Sequence, residues 1–195
     1  MGHDVADYTI QKGIFSIATY TDGVKGAYVD MGNCPSAEIE PQLERLPHYS
    51  SRTGYRTKDK NPVIQTDYML RFDLDEIGAV NLTRFLMGTR SGAVIAALQA
   101  TDAEFSVKLV EDNPAGRNKT WEFHRMTLKP SGPMALITEE WASMSFEGEG
   151  LSDVIGNAAS PYITVTYASG VGISASLSLS PSASLSPSAS ASASA

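Results

Sequence analysis

From Ser36 to Leu46 the chain alternates, residue by residue, between small or apolar side chains and acidic or amide ones. Ala37, Ile39, Pro41 and Leu43 fall on one side, and Glu38, Glu40, Gln42 and Glu44 on the other. A period of two is the repeat of a β-strand, whose successive side chains point to opposite faces. The stretch is therefore read as a half-buried strand with an acidic outer face. Pro41 cannot donate to a ladder, which places it at an edge, a bulge or a bend.

The same logic extends over most of the first 168 residues. Gly13–Tyr20 is β-branched and aromatic, and Asp22-Gly23 is a favoured hairpin pair before a return strand at Ala27–Met31. In Val63–Phe72, Ile64, Tyr68, Leu70 and Phe72 would face a core, with Gln65, Asp67 and Arg71 facing away. Glu104–Glu111, Trp121–Leu128, Met134–Gly148 (one long strand or two) and Pro161–Ala168 supply further strands, while 93–99 reads as strand or helix. One helix is expected at about 73–87. Asp73 and Glu76 have capping-box spacing, Leu74, Ile77, Leu82, Phe85 and Leu86 form an apolar face, and Gly88 suits C′. Many strands and one helix predict a mainly β fold, a sandwich or open barrel with a flanking helix.

Two segments break the pattern. Pro47 and Pro62 bracket a long loop, 47–62, that carries Arg52, Arg56, Lys58 and Lys60 against Asp59 alone. Long loops in compact domains carry function or are disordered. From Ser174 to Ala195 serine recurs at every second position with Ala, Leu or Pro between. Such side chains are too small to build a core. The chain thus divides into a domain at 1–170 and a low-complexity tail at 171–195.

Charge and motif content exclude several functions. The formal net charge is −7, whereas holding a phosphate backbone takes clustered Lys and Arg. Cys34 is the single cysteine, and His3, His48 and His124 lack metal-ligand spacing, so no metal or other cofactor is expected. No signal peptide and no membrane span is read. The Gly-bracketed 88–92 stretch reads as a helix cap and connector rather than a phosphate cradle. The pairs Glu139-Glu140 and Glu147/Glu149 read as exposed strand acids rather than an acid–base pair. His124 reads as a satisfied strand histidine, and Trp121 and Trp141 as core residues rather than stacking platforms. No enzymatic activity is expected.

Three stretches together resemble the tail tube (major tail) proteins of siphophages: YTIQKGIFSI with YVDMGNCPSAEIEPQLERLPHYSSRTGYRTKDK, then FDLDEIGAVNLTRFLMG, then NPAGRNKTWEFHRMTLKPSGPMALITEEWASMSFEGEGLSD. They span about residues 8–168 in the family's order. The resemblance implies a sandwich-like barrel with one outer helix, six-membered rings closed by strand pairing, and stacking of rings through a long loop. It implies an acidic lumen conducting viral DNA, lined here by Glu38, Glu40, Gln42, Glu44, Gln65 and Asp67. Arg52, Arg56, Lys58 and Lys60 would then lie between rings. The implied partners are other copies of the chain, a tape measure protein and terminator or tip proteins, within a virion tail made in the host cytoplasm. DNA would pass without specific binding. The alternative reading is a β-sandwich module that binds carbohydrate or a cell surface.

Overall fold

The computed structural model describes residues 8–52 and 54–168. The low-complexity tail at 171–195 lies outside them. The described strands are β1 (Gly13–Thr21), β2 (Val24–Lys25), β3 (Val29–Asp30), β4 (Ser36–Arg45), β5 (His48–Ser50), β6 (Thr57–Lys60) and β7 (Val63–Leu74). After the helix α1 (Ala79–Phe85) come β8 (Thr89–Ser91), β9 (Val94–Ala96), β10 (Glu104–Glu111), β11 (Lys119–Pro130), β12 (Met144–Gly150) and β13 (Ile163–Tyr167). The fold is mainly β with one helix, as the sequence predicts.

One nine-stranded sheet runs β2-β1-β10-β11-β12-β7-β4, with β13 added to β11 and β3 to β1. Every pairing in it is antiparallel. It does not stay open. Phe15 on β1 and Phe72 on β7 are separated by three strands in the sheet order, yet their ring centroids lie 4.7 Å apart. The sheet therefore curls over its own apolar face into a half-barrel. Phe72 stacks on Phe146 at 5.0 Å, and Phe85 of α1 meets Phe146 edge-on at 5.7 Å. Such tilted, offset and edge-on arrangements suit the ring quadrupole. Ile17, Leu70, Leu74, Val107, Met126 and Met144 complete the core.

The hairpin turn at Asp22-Gly23 is as expected, with φ of +47° and +85° at the two positions and Thr21 paired to Val24. Gly150 accepts the ring of Tyr68 against its backbone, since a Cβ there would stand 2.2 Å from Cε1. The return strand at 27–31 shortens to the two residues of β3. The 93–99 stretch resolves as strand β9, paired with β8 around Gly92.

Five expectations need correction. The helix starts at Ala79, not Asp73, because Leu74 is fully buried and paired to Met144 as the last residue of β7. Tertiary pairing overrides the capping signal there. Gly78 becomes the N-cap, and Met87 rather than Gly88 takes the positive φ after the helix, +45°. Gly88 serves close approach instead, as a Cβ would lie 2.5 Å from the Ala96 carbonyl oxygen. The 47–62 segment is a hairpin, β5 with β6, extending the β4–β7 hairpin. Only Met144–Gly150 of the expected 134–148 strand pairs; residues 131–143 form no strand or helix. Trp141 is 97% exposed instead of buried, since this loop leaves the sheet.

Candidate functional site

The β4–β7 hairpin carries the candidate residues. Its register sets Glu38 opposite Arg71, Glu40 opposite Met69, Gln42 opposite Asp67 and Glu44 opposite Gln65. Directly opposed residues share a face. Glu38, Glu40, Gln42, Glu44, Gln65 and Asp67 are therefore brought together on one surface, opposite to that of Leu70 and Phe72. Across β7 the surface continues to Glu147, opposite Arg71, and Glu149, opposite Met69. On β11, Lys129 and Thr127 extend it.

Acids dominate this face. Arg71 holds Glu40 at 2.9 Å and Glu147 at 3.1 Å, and Lys129 holds Glu147 at 3.1 Å. The hydrogen bonds to Glu40 and then Glu147 raise the Arg71 guanidinium above its ordinary range. The bonds from Lys129 and then Arg71 hold the Glu147 carboxyl below its own. No ion pair forms at Glu38, Glu44, Asp67 or Glu149 among the described residues. The face keeps a net negative field, with its positive groups already tied to carboxylates. Glu147 and Glu149 belong to this surface through their strand partners, which a single strand's sequence does not reveal. Their alternation in MSFEGEG is the signal that could have found them.

The opposite face of the hairpin changes along its length. Near the body it packs Leu70 and Phe72 in the core and Ile39 against it. Towards the tip, Leu43 is 58% and Ile64 54% exposed. The apolar alternation outruns the core that would bury it. β4 is also the last strand of the sheet, so one side of its backbone is unpaired. Pro41, which has no N–H to offer, sits on that edge strand as expected.

Beyond Leu46 the tip hairpin holds the basic residues. Arg52, Arg56, Lys58 and Lys60 are all exposed. Arg56 stands 5.2 Å over the Tyr49 ring, and Asp59 pairs with His48 at 2.5 Å. The hydrogen bond from His48 holds the Asp59 carboxyl below its ordinary range.

Elsewhere, His124 and Trp121, singled out in the sequence, have structural partners. His124 is buried, with Nδ1 2.7 Å from Lys25 Nζ and Nε2 2.8 Å from Thr164 Oγ1. Burial and then the Lys25 charge lower its pKa, so it is a neutral strand histidine. Trp121 packs against the core and donates to Glu111 Oε1 at 2.6 Å. The 88–92 stretch follows the helix as a hairpin, so it has no helix N-terminus to aim at a phosphate. Among the described residues no group of three His, Cys, Asp or Glu side chains is placed to hold a metal. No described helix is long and apolar enough to cross a membrane.

These features define a β protein whose edge hairpin has one acidic face and one apolar face that is uncovered towards the tip. The chain belongs to the family described as protein of unknown function UCP028589, whose model matches residues 8–109, just over half of the chain. The match includes the β4–β7 hairpin and α1, and ends before the loop at 131–143. No curated protein matches the sequence. Among solved structures the chain is similar to one in the sheath–tube complex of an extracellular contractile injection system, PVC, in its extended state. Identity there is 9% and TM-score 0.37, over 84% of this chain and 95% of that one. It is also similar to the tube-terminating cap of the anti-feeding prophage, at 11% identity and TM-score 0.36, over 86% of this chain and 97% of that one. At such scores the likeness decides nothing about function.

Proposed function

We propose that this protein is a structural subunit of a phage tail tube, stacking as six-membered rings around a channel for DNA. The observation that carries the reading is the β4–β7 hairpin. It is an edge strand pair with an acidic face on one side and, on the other, an apolar face that its own core leaves bare towards the tip. A lone chain would expose both the strand edge and the apolar stripe, a standing aggregation hazard. Ring closure by neighbouring copies removes edges and covers the stripe. The acidic face then lines the lumen. Its negative field repels phosphates, so DNA slides through without being held.

In this reading Glu38, Glu40, Gln42, Glu44, Gln65 and Asp67 face the channel. Arg52, Arg56, Lys58 and Lys60, carried on the tip hairpin, meet an acidic surface of the adjacent ring. The further partners are a tape measure protein inside the growing tube and terminator or tip proteins at its ends. The protein works in a virion tail, without cofactor or catalytic step.

Lysine at Glu38, Glu40 and Glu44 together tests the channel assignment. The triple variant is expected to assemble and to bind DNA in a salt-dependent way, because clustered positive charge releases counterions from the phosphate backbone. Assembled variant that gains no DNA binding would place those residues outside the lumen. Removing residues 50–60 should leave a folded chain that forms no long tubes; long tubes from it would refute the inter-ring role.

A further inference from the structure

The loop joining β11 to β12, residues 131–143, is the most exposed apolar segment among the described residues. Leu136 is 86% exposed, and Ile137 and Trp141 are each 97% exposed. Glu139 and Glu140 stand between them, both exposed, with the Glu140 N–H donating to Thr138 Oγ1 at 3.0 Å. Scattered exposed apolar residues are ordinary, but three this bare on one short loop mark a contact surface. An exposed Trp is the residue type most enriched at energetic centres of interfaces.

A receptor of matching chemistry lies on the same chain. Beside α1 is a cavity of about 330 Å³ whose exposed lining is mostly apolar. Val80, Met87, Phe105 and Leu128 are among its walls, and Arg84 and Arg90 also line it. Neither arginine has a carboxylate within ion-pair distance among the described residues. Arg84 is half-buried, its Nη1 3.2 Å from the Met31 sulfur, and burial pushes its pKa down to about 10. A desolvated guanidinium without a counter-charge gains from an incoming carboxylate. The cavity falls in the size range that takes up small apolar groups such as an indole.

We infer that the 131–143 loop of one copy docks into the α1-side cavity of a neighbouring copy, Trp141 entering the apolar pocket while Glu139 and Glu140 meet Arg84 and Arg90. Loop and cavity are different patches of one chain. The contact is therefore head-to-tail, the kind that builds rings and filaments rather than closed pairs. The inference rests on the tube reading for its setting, but names a contact that reading does not require.

A charge exchange tests it. The loop variant E139R/E140R and the cavity variant R84E/R90E each oppose like charges at every junction. Each alone is expected to need about thirtyfold higher concentration for half-assembly in sedimentation velocity, as loss of an interface hot spot predicts. An equimolar mixture restores opposite charges at both junctions and should assemble like wild type. Failure of the mixture to assemble, or wild-type assembly by each variant alone, overturns the contact. Trp141→Ser guards against misfolding at Arg84, because so exposed a side chain cannot carry the fold; it should lose assembly similarly. If Trp141→Ser assembles normally but loses binding to immobilised polysaccharide, the loop is a sugar platform and the inference is wrong. Cysteine trapping separates this inference from the tube reading. Cys34→Ser/Ser143→Cys, which keeps Trp141, is oxidised with Cys34→Ser/Ala100→Cys, since Ser143 is exposed on the same loop and Ala100 lines the cavity. Tubes from wild type without a cross-linked pair refute the contact alone. A cross-linked pair without tubes refutes the tube reading alone.

Discussion

The two ends of β7 obey one sequence rule and meet two different fates. From Tyr68 to Leu74 alternate residues are buried: Tyr68, Leu70, Phe72 and Leu74. From Val63 to Thr66 every residue is exposed, although Ile64 continues the same apolar stripe. β4 repeats the contrast, with Ile39 packed against the core and Leu43 bare. Alternation therefore marks an apolar face, and not what covers it. At the body end the cover is the chain's own half-barrel. At the tip end no described part of the chain supplies one, which is why a neighbouring copy is proposed there.

Mutations at the two ends should separate cleanly. Phe72→Ala at the body end removes a ring packed against Phe15 and Phe146. It should destabilise the free subunit by about 3–5 kcal/mol, read from urea unfolding. Leu43→Ser with Ile64→Ser at the tip should change the same measurement by less than about 0.5 kcal/mol while abolishing assembly. Equal losses at both ends would erase the distinction.

A smaller effect is expected where α1 meets the sheet. Asn81 is buried and donates to the carbonyls of Met31 at 2.8 Å and Glu76 at 3.0 Å. Alanine there leaves both carbonyls to be satisfied otherwise and should cost about 1–3 kcal/mol in unfolding. Assembly of the folded fraction should persist, since Asn81 is inside the body.

The same body supplies a pH test. Burial works to raise the Asp153 pKa, but bonds from the Tyr20 hydroxyl, the Asn157 amide and the Gly156 N–H outweigh it and leave the carboxyl below its ordinary range. Burial first, and then the bond to Asp153, pushes Tyr20 up to about 12. Because the folded carboxyl holds its proton less readily than the unfolded one, its contribution is full above the unfolded pKa of about 3.9. It is lost as the pH falls through the folded value. Asp153→Asn should therefore be less stable than wild type at pH 7, with the gap closing below about pH 4. A gap independent of pH would show that the carboxylate charge plays no part.

Much of this was legible because period-two patterns are local. The joint face of Glu38, Glu40, Gln42, Glu44, Gln65 and Asp67 follows from alternation in two strands that turn out to pair with each other. Lys129, Glu147 and Glu149 join it through strand order, which no single segment encodes. The helix start was misread because Asp73 and Glu76 have a cap's spacing while Leu74 is claimed by Met144 across the sheet. Trp141 was misread for a deeper reason: an apolar run left exposed on a loop looks the same in sequence as one buried in the core. The hairpin tip within 47–62 was hidden by its charge, since Lys58 and Lys60 give a paired strand the composition of a loop.

Electron microscopy of the purified full-length protein over rising concentration tests the central claim most directly. The account predicts hollow rings that stack into tubes, with Glu38, Glu40 and Glu44 on the channel wall and the outer β4–β7 hairpin packed on an adjacent copy. Discrete monomers at every concentration, or tubes whose channel is lined by another surface, would contradict it.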